Sequence, residues 1–238
     1  MLLKLVAIYV INVKSFVERR QFIESQLAKL NLQAKFILEW DMDELGSEVI
    51  EKYFTVKDLS LAQISCGMKH ISALQNIAQQ GDGYSLVLED DAVFMDDFMA
   101  GIKYSLQESE RFPGPKVIFI GSGGNFYTPR SQRIKGQHLY VGRRGRFADS
   151  YILDATTAQL RLDWITQNKV SQPIDNQFET IDRELGIQML WLEDPVVEQG
   201  SKAGLFNSSL ESAPPPWLQK VSFGWEKLKR KYIYQLWK

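Results

Sequence analysis

The chain is poor in the residues that staple small domains or build metal clusters. One cysteine, Cys66, stands in 238 residues, so no intramolecular disulfide can form, and a reducing compartment is the expectation. The two histidines, His70 and His138, are far apart, which leaves no Cys/His cluster of the structural-zinc kind. An excess of either charge is missing too: 28 Lys+Arg face 29 Asp+Glu, for a net charge of −1. That balance argues against a surface built for nucleic acid, so no nucleic-acid partner is expected. Long apolar runs are also absent. The strongest, LLKLVAIYVINV, is broken by Lys4 and falls short of the ~20 residues a membrane-spanning helix needs. With no basic stretch before it and no small-residue cleavage site after it, it does not read as a signal peptide. No internal repeat or low-complexity region is visible.

What is present is enough apolar sequence, 45% of the residues, to fill the core of one larger α/β domain. Leu5 to Ile11 is rich in β-branched and aromatic residues and reads as a buried strand. Ser15 with Glu18 three residues on gives a capping-box signature for a helix through about Leu30. Ala34 to Trp40 reads as a second strand, and Leu61, Ile64, Met68, Ile71, Leu74 and Ile77 recur at helical spacing until Gly81-Asp82-Gly83. SLVLEDD is the next strand, followed by strands at KVIFIG, FADSYIL and IQMLWL. Helical stretches lie between them around Met95 to Glu108, Thr156 to Gln167 and Asn176 to Glu184. This alternation predicts an α/β fold, a mixed sheet with helices on both faces, with ligands at the carboxyl ends of the strands.

The strongest chemical signal is Ser85-Leu86-Val87-Leu88-Glu89-Asp90-Asp91, an apolar strand running into three acids. Negative charge packed at the mouth of a buried strand is costly unless a cation sits there. A divalent ion such as Mg²⁺ or Mn²⁺, shared with the phosphates of a nucleotide, is the economical partner; capping of the next turn is the alternative.

Several blocks carry a resemblance when taken in order. YVINVKSFVERR, Cys66 with His70, LVLEDDAVF, FADSYIL, and PIDNQF followed by EDPVVEQ together resemble glycosyltransferase family 25. That family includes lipooligosaccharide galactosyltransferases of Gram-negative bacteria and the related collagen galactosyltransferases. The resemblance covers roughly Leu5 to Gln199 and implies a GT-A type domain. It further implies binding of a UDP-sugar and, usually, Mn²⁺ (or Mg²⁺), with transfer of the hexose by inversion. Carried over by position, Asp91 is the first choice of metal ligand, with Glu89 the alternate on the same side of an extended segment. Asp90 points the other way, toward ribose or structure. Asn12 resembles the position that meets the nucleoside, Arg19 is placed for the diphosphate, and His70 for acceptor or diphosphate, although a structural histidine fits it as well. Tyr9 reads as core rather than as a platform for the base.

Inverting transfer needs a base for the acceptor hydroxyl. Asp175, in Pro173-Ile174-Asp175-Asn176, is the first candidate and is equally able to cap the following helix. Asp149 is the second, and Asp194 a weaker third. The family usually has a Gly-Glu pair and another Gly before the cysteine, and a Ser before the histidine. Here Ala62, Gln63, Ser65 and Lys69 stand there, which puts metal strength and donor identity in question. The glycines of Gly121-Ser122-Gly123-Gly124-Asn125 lack the third glycine of a dinucleotide loop and read as a flexible border of the sugar pocket. Arg130, Arg133, Lys135, Arg143, Arg144 and Arg146 follow, suited to phosphates on an anionic acceptor or to a solvated face.

Pro214-Pro215-Pro216 divides the chain into a domain over residues 1–213 and a basic aromatic segment over 214–238. After the prolines, six Lys/Arg face the single acid Glu226, a balance of +5 against −6 for the rest. Trp217, Val221, Trp225, Leu228, Tyr232 and Leu236 fall on one helical stripe flanked by lysines, the composition of a helix lying on an anionic membrane. The whole therefore predicts a hexosyltransferase, most simply a β-galactosyltransferase, acting on a lipid-linked lipooligosaccharide or lipopolysaccharide core. Its expected location is cytoplasmic, peripheral on the inner face of the bacterial inner membrane. A glucosyl or other hexosyl transferase, a nucleotidyltransferase using the same acids, and a silent carbohydrate-binding or scaffold protein are the alternatives.

Overall fold

A computed structural model describes residues 4–125, 127–142, 144–145, 147–201 and 229. The first strand, β1 (Leu5–Ile11), leads through a loop into α1 (Val17–Lys29) and the short β2 (Lys35–Ile37). Next come α2 (Ser47–Tyr53), the long α3 (Leu61–Ala78), β3 (Tyr84–Glu89), β4 (Ala92–Phe94) and α4 (Phe98–Ser109). The second half holds β5 (Lys116–Phe119), β6 (Leu139–Val141), β7 (Ser150–Asp154), α5 (Ala155–Asn168), α6 (Ile174–Glu184), β8 (Gln188–Leu192) and β9 (Val197–Gln199).

Seven strands form one sheet in the order β2-β1-β3-β7-β5-β8-β6, and β4 pairs with β9 in a separate two-stranded ribbon. The β1–β2, β1–β3 and β5–β8 pairs are parallel, whereas β7 and β6 run against their neighbours. The sheet is thus mixed, as the alternating pattern predicted. Its two faces follow the period-2 alternation of the strands. Ile8 and Val10 of β1, with Leu86 and Leu88 of β3, pack toward Ile23 and Leu27 of α1 and Phe98, Ile102 and Leu106 of α4. Tyr9, Ile11 and Val87 face Ile64, Met68, Ile71 and Leu74 of α3, with Ile165 of α5 and Phe178 and Ile181 of α6 in the same layer. Both faces are covered, which is why the central strands read as unbroken apolar runs.

Several local expectations are corrected. The box expected from Ser15 and Glu18 does not form: Phe16 occupies the N-cap of α1, with no side-chain capping bond. The loop before the helix folds inward, and Ser15 lines a cleft instead. The second strand is shorter than Ala34 to Trp40, because the chain leaves the sheet after Ile37. The FADSYIL strand begins at Ser150, leaving Asp149 in the preceding turn. The β4–β9 ribbon, β6 and α2 are too short to impose a period and had no counterpart in the sequence pattern. No helix among the described residues is long and apolar enough to cross a membrane. The expected boundary at Pro214 and the basic aromatic helix lie outside the described residues, apart from Lys229.

Candidate active site

The site is built where β1 and β3 end side by side. Their parallel register sets Ile11 opposite Glu89, so the next residues, Asn12 and Asp90, emerge together. Asn12 Nδ2 donates to Asp90 Oδ2 at 2.7 Å, and Arg19, from the first turns of α1, pairs with Asp90 Oδ1 at 3.1 Å. Three residues expected to meet a nucleotide are therefore engaged with one another. Burial still raises the Asp90 carboxyl above its ordinary range, against the lowering pull of Arg19 and Asn12.

A cleft of about 580 Å³ opens beside this knot, lined by the loop after β1, the turn around Met42–Glu44, one face of α3, and Glu89 with Asp90. Two of its residues, Lys69 and Asp41, went unrecognised as site residues. Lys69 is buried, donates to the carbonyls of Leu38 and Glu39 at 3.2 and 2.7 Å, and pairs with Asp41 Oδ1 at 2.8 Å. The other Asp41 oxygen accepts from the Lys14 amide at 3.0 Å. Asp41 therefore ties the loop after β1 to α3. The available signal was a lysine set among the apolar positions of α3, between Met68 and Ile71, where a charge is tolerated only if paired.

Glu89 stands at the inner wall with 28% of its side chain exposed, enough to open onto the cleft. Burial, then the charges of Asp91, Asp90 and Asp175, push its pKa up to about 8, with Arg19 opposing them. Asp90 and Asp91 form a turn rather than continuing the strand, so Asp91 does not share an extended face with Glu89 as expected. It faces the chain after β9: its carbonyl accepts from the Gly200 amide at 2.7 Å and its Oδ2 from the Ser201 amide at 3.1 Å. Its Oδ1 is buried and has no hydrogen-bond partner among the described residues. Asp175 lies within the first turn of α6, where Pro173 takes the N-cap, so it does not cap the helix. It is half-buried, and its charge acts on Glu89, Cys66 and His70 alike.

His70 is not placed to touch a nucleotide. It has no exposed surface, its Nδ1 lies 3.0 Å from the Tyr151 hydroxyl, and its ring stacks on Tyr151 and meets Phe178 edge-on. Burial lowers its pKa to about 3, so the ring is neutral. The Cys66 thiol, one helical turn away, is pushed up by burial and by the neighbouring carboxylates. Although the two histidines are far apart in sequence, the fold gathers Cys66, His70 and Glu89 into one cluster of possible metal ligands.

Gln63, read as a loss of the family's acid, has a local job. Ser60 is the N-cap of α3, its Oγ accepts from the Gln63 amide, and Gln63 Oε1 accepts from the Ser60 amide at 2.9 Å. Glutamine serves this box as well as glutamate. Asp149 is buried beneath the glycine loop and accepts from Ser150 Oγ at 3.0 Å. A Cβ at Gly121 would collide with Asp149 and Ser150, and one at Gly123 would press on Phe147, so these glycines are there for close approach. Asp194 is largely exposed and lies 3.8 Å from Arg133, which also pairs with the buried Glu193 at 3.0 Å. Arg144 approaches Glu179 at 3.9 Å, Arg130 and Lys135 are exposed, and Arg143 and Arg146 lie outside the described residues. Tyr9 is core, as expected.

A mixed α/β sheet with an acid-lined cleft at the carboxyl ends of parallel strands belongs to the class of α/β proteins that bind ligands at that edge. The model of glycosyltransferase family 25 (LPS biosynthesis protein) matches residues 6–124, half of the chain, and the chain belongs to that family. The GT-A type architecture expected of the family is in keeping with the observed sheet. No curated protein matches the sequence. Among solved structures, the chain is similar to the inositol-1-phosphate CTP transferase from T. maritima, with 11% identity and a TM-score of 0.42 over 94% of this chain and 96% of that one. A Drosophila β1,4-galactosyltransferase 7 mutant in complex with manganese, UDP-Gal and xylobiose has 10% identity and a TM-score of 0.40, over 87% and 76%. Mouse xyloside xylosyltransferase 1 in its apo form has 16% identity and a TM-score of 0.38, over 79% and 73%.

Proposed function

We propose that the protein moves a hexose, with galactose the first choice, from a UDP-sugar to a lipooligosaccharide or lipopolysaccharide core acceptor, with inversion. The observation that carries this reading, beyond family membership, is the surplus of buried carboxylate at the strand ends. Asp91 Oδ1 is a buried acceptor with no hydrogen-bond partner among the described residues, beside a Glu89 whose ionisation its acidic neighbours oppose. All-oxygen donors fit a hard divalent cation, Mn²⁺ or Mg²⁺; Asp91, which faces the chain after β9, is its first-choice ligand, and Glu89, which opens onto the cleft, the alternate. When bound, such an ion offsets charge growing on a departing diphosphate.

The rest is the work of the chain's own residues. Asn12 and Arg19 fix Asp90, and Arg19 also faces the cleft, where its guanidinium suits a diphosphate. Asp175 takes the proton from the acceptor hydroxyl as that oxygen attacks the anomeric carbon. Its partial exposure supports this role, whereas Asp149, enclosed by Gly121 and Gly123, is the weaker candidate. The segment over residues 217–238 carries the basic and aromatic composition for holding the enzyme to an anionic membrane, on the cytoplasmic side of the inner membrane where a lipid-linked acceptor is assembled.

A panel of UDP-sugars with Mn²⁺, run against Asp91→Ala, tests the proposal. One donor should be hydrolysed or transferred by the native protein and not by the variant. Absence of turnover with every donor and candidate acceptor, together with absence of metal-dependent UDP binding, would leave a silent carbohydrate-binding protein. Deleting residues 217–238 should release the protein from anionic vesicles while sparing activity on a soluble acceptor; unchanged vesicle binding rejects the membrane role.

A further inference from the structure

Cys66 and His70 sit one turn apart on α3, at i and i+4, so both side chains leave the same face of the helix. Glu89 reaches that face from the end of β3. The Cys66 sulfur, a ring nitrogen of His70 and a carboxylate oxygen of Glu89 all lie within 4.8 Å of one another. The two nitrogens of the sealed imidazole are unequal. Nδ1 meets the Tyr151 hydroxyl at 3.0 Å, whereas Nε2 has no hydrogen-bond partner among the described residues and lies 3.6 Å from Glu89 Oε1, too far for a hydrogen bond. A fully buried nitrogen is thus turned toward a carboxylate without being satisfied by it. Cys66 and Glu89 also line the cleft, which gives the cluster a path to solvent.

We propose that Cys66, His70 and Glu89 form a binding site for a thiophilic divalent cation of the zinc class, open on its fourth side to the cleft. A tetrahedral ion of this class sets its donor atoms roughly 3.5 Å apart. The His70–Glu89 spacing already meets that value, and small side-chain rotations bring in the sulfur. The Tyr151 contact orients the imidazole from behind: with Nδ1–H donating to the hydroxyl oxygen, the Nε2 lone pair points at the ion. On binding, the thiol proton leaves to solvent and the sulfur–metal bond forms from the resulting thiolate. Sulfur, nitrogen and oxygen donors together select zinc or cobalt, while the carboxylates around Asp91 suit manganese or magnesium. Glu89 is common to both sets, so an ion held by Cys66 and His70 withdraws Glu89 from the cleft. The inference does not rest on the transfer reaction.

The test is a Co²⁺ titration of the chelator-stripped, full-length protein. Because the chain has a single cysteine, near-ultraviolet thiolate-to-cobalt absorption reports on Cys66 alone. The expected result is a band that saturates at a one-to-one ratio, is bleached by Zn²⁺ and persists in a large excess of Mn²⁺. Cys66→Ser should abolish it, and His70→Gln and Glu89→Gln should each weaken the apparent affinity at least about tenfold, with folding checked by circular dichroism. No band in the native protein overturns the proposal. So does a band of unchanged affinity in the two other variants, which would mark a lone thiol; if His70→Gln does not fold, Glu89→Gln decides alone. UDP-sugar turnover on the same preparations is read separately, so failure of one reading is distinguishable from failure of the other.

Discussion

Two polar clusters of the molecule are built on opposite terms. Between α5 and α6, Arg161 and Asp182 form a two-pronged ion pair at 2.8 and 2.6 Å, with neither residue exposed. The guanidinium also lies 4.2 Å over the Phe178 ring. Charge there is matched, while Arg161 Nη1 is buried with no hydrogen-bond partner among the described residues. At the strand ends, Glu89, Asp90 and Asp91 stand together, and the Arg19 guanidinium meets only Asp90 among them in a resolved ion pair. Among the described residues Glu89 and Asp91 have no cationic partner, an arrangement that a stable core alone would not favour, since buried acids without a counter-charge cost stability. A matched pair serves architecture; under the proposed function, the acids without a counter-charge among the described residues are where a cation would bind.

The contrast can be broken most severely at the matched pair. Asp182→Ala leaves Arg161 buried without its counter-charge and should lower unfolding free energy by about 3–5 kcal/mol in urea melts. Arg161→Met with Asp182→Leu should recover most of that loss, and failure to recover would assign the pair more than architecture. At the unmatched site the expected signature is reversed. Asp91→Asn keeps an acceptor for the Ser201 amide and should leave the urea midpoint unchanged or raised, while the proposed metal-dependent UDP-sugar turnover should fall by roughly a hundredfold or more. A clear loss of stability in that variant would make Asp91 part of the architecture.

Asp175→Asn should reduce kcat by about 10²–10⁴ with KM for the donor nearly constant, and Asp149→Asn should act mainly on stability. The opposite pattern would exchange their roles.

His70 gives a smaller effect with a definite sign. Its folded pKa of about 3 lies below the ordinary 6.5, so between these values the unfolded chain binds a proton that the native one does not. Stability should therefore fall by up to about 1.4 kcal/mol for each pH unit descended through that window. The raised carboxyls Glu89, Asp90 and Asp182 act with the opposite sign. The difference between native protein and His70→Gln, both melted in chelator, isolates the histidine; parallel pH profiles would disprove the assignment. The mildest change is Gln63→Ala, which should cost about 1 kcal/mol by removing half of the α3 box, while Gln63→Glu leaves stability and turnover close to native.

Gln63 also shows how far local sequence carries. Its spacing from Ser60 holds the capping box in the sequence itself, independently of its departure from the family pattern. The acids at the end of β3 were legible because an apolar strand ending in three carboxylates violates its own burial pattern. The direction of Asp91 was not, because the alternation of a strand stops at a turn. Lys69 and Asp41 escaped for a different reason. They lie 28 positions apart, and only the packing of α3 against the chain after β2 makes them a pair.

The sequence by itself determined the alternating α/β framework, the two apolar faces of the central strands, the acid-bearing strand end and the family to which the chain belongs. These rest on short-range periods and on the order of motifs along the chain. The tertiary structure alone decided that Asn12 and Arg19 serve Asp90, that His70 is sealed behind Tyr151, and that Cys66, His70 and Glu89 converge. Such convergence depends on strand order and on how α3 lies across the sheet, which no local pattern encodes. The burial that follows then sets which of the described charges are matched and which are not.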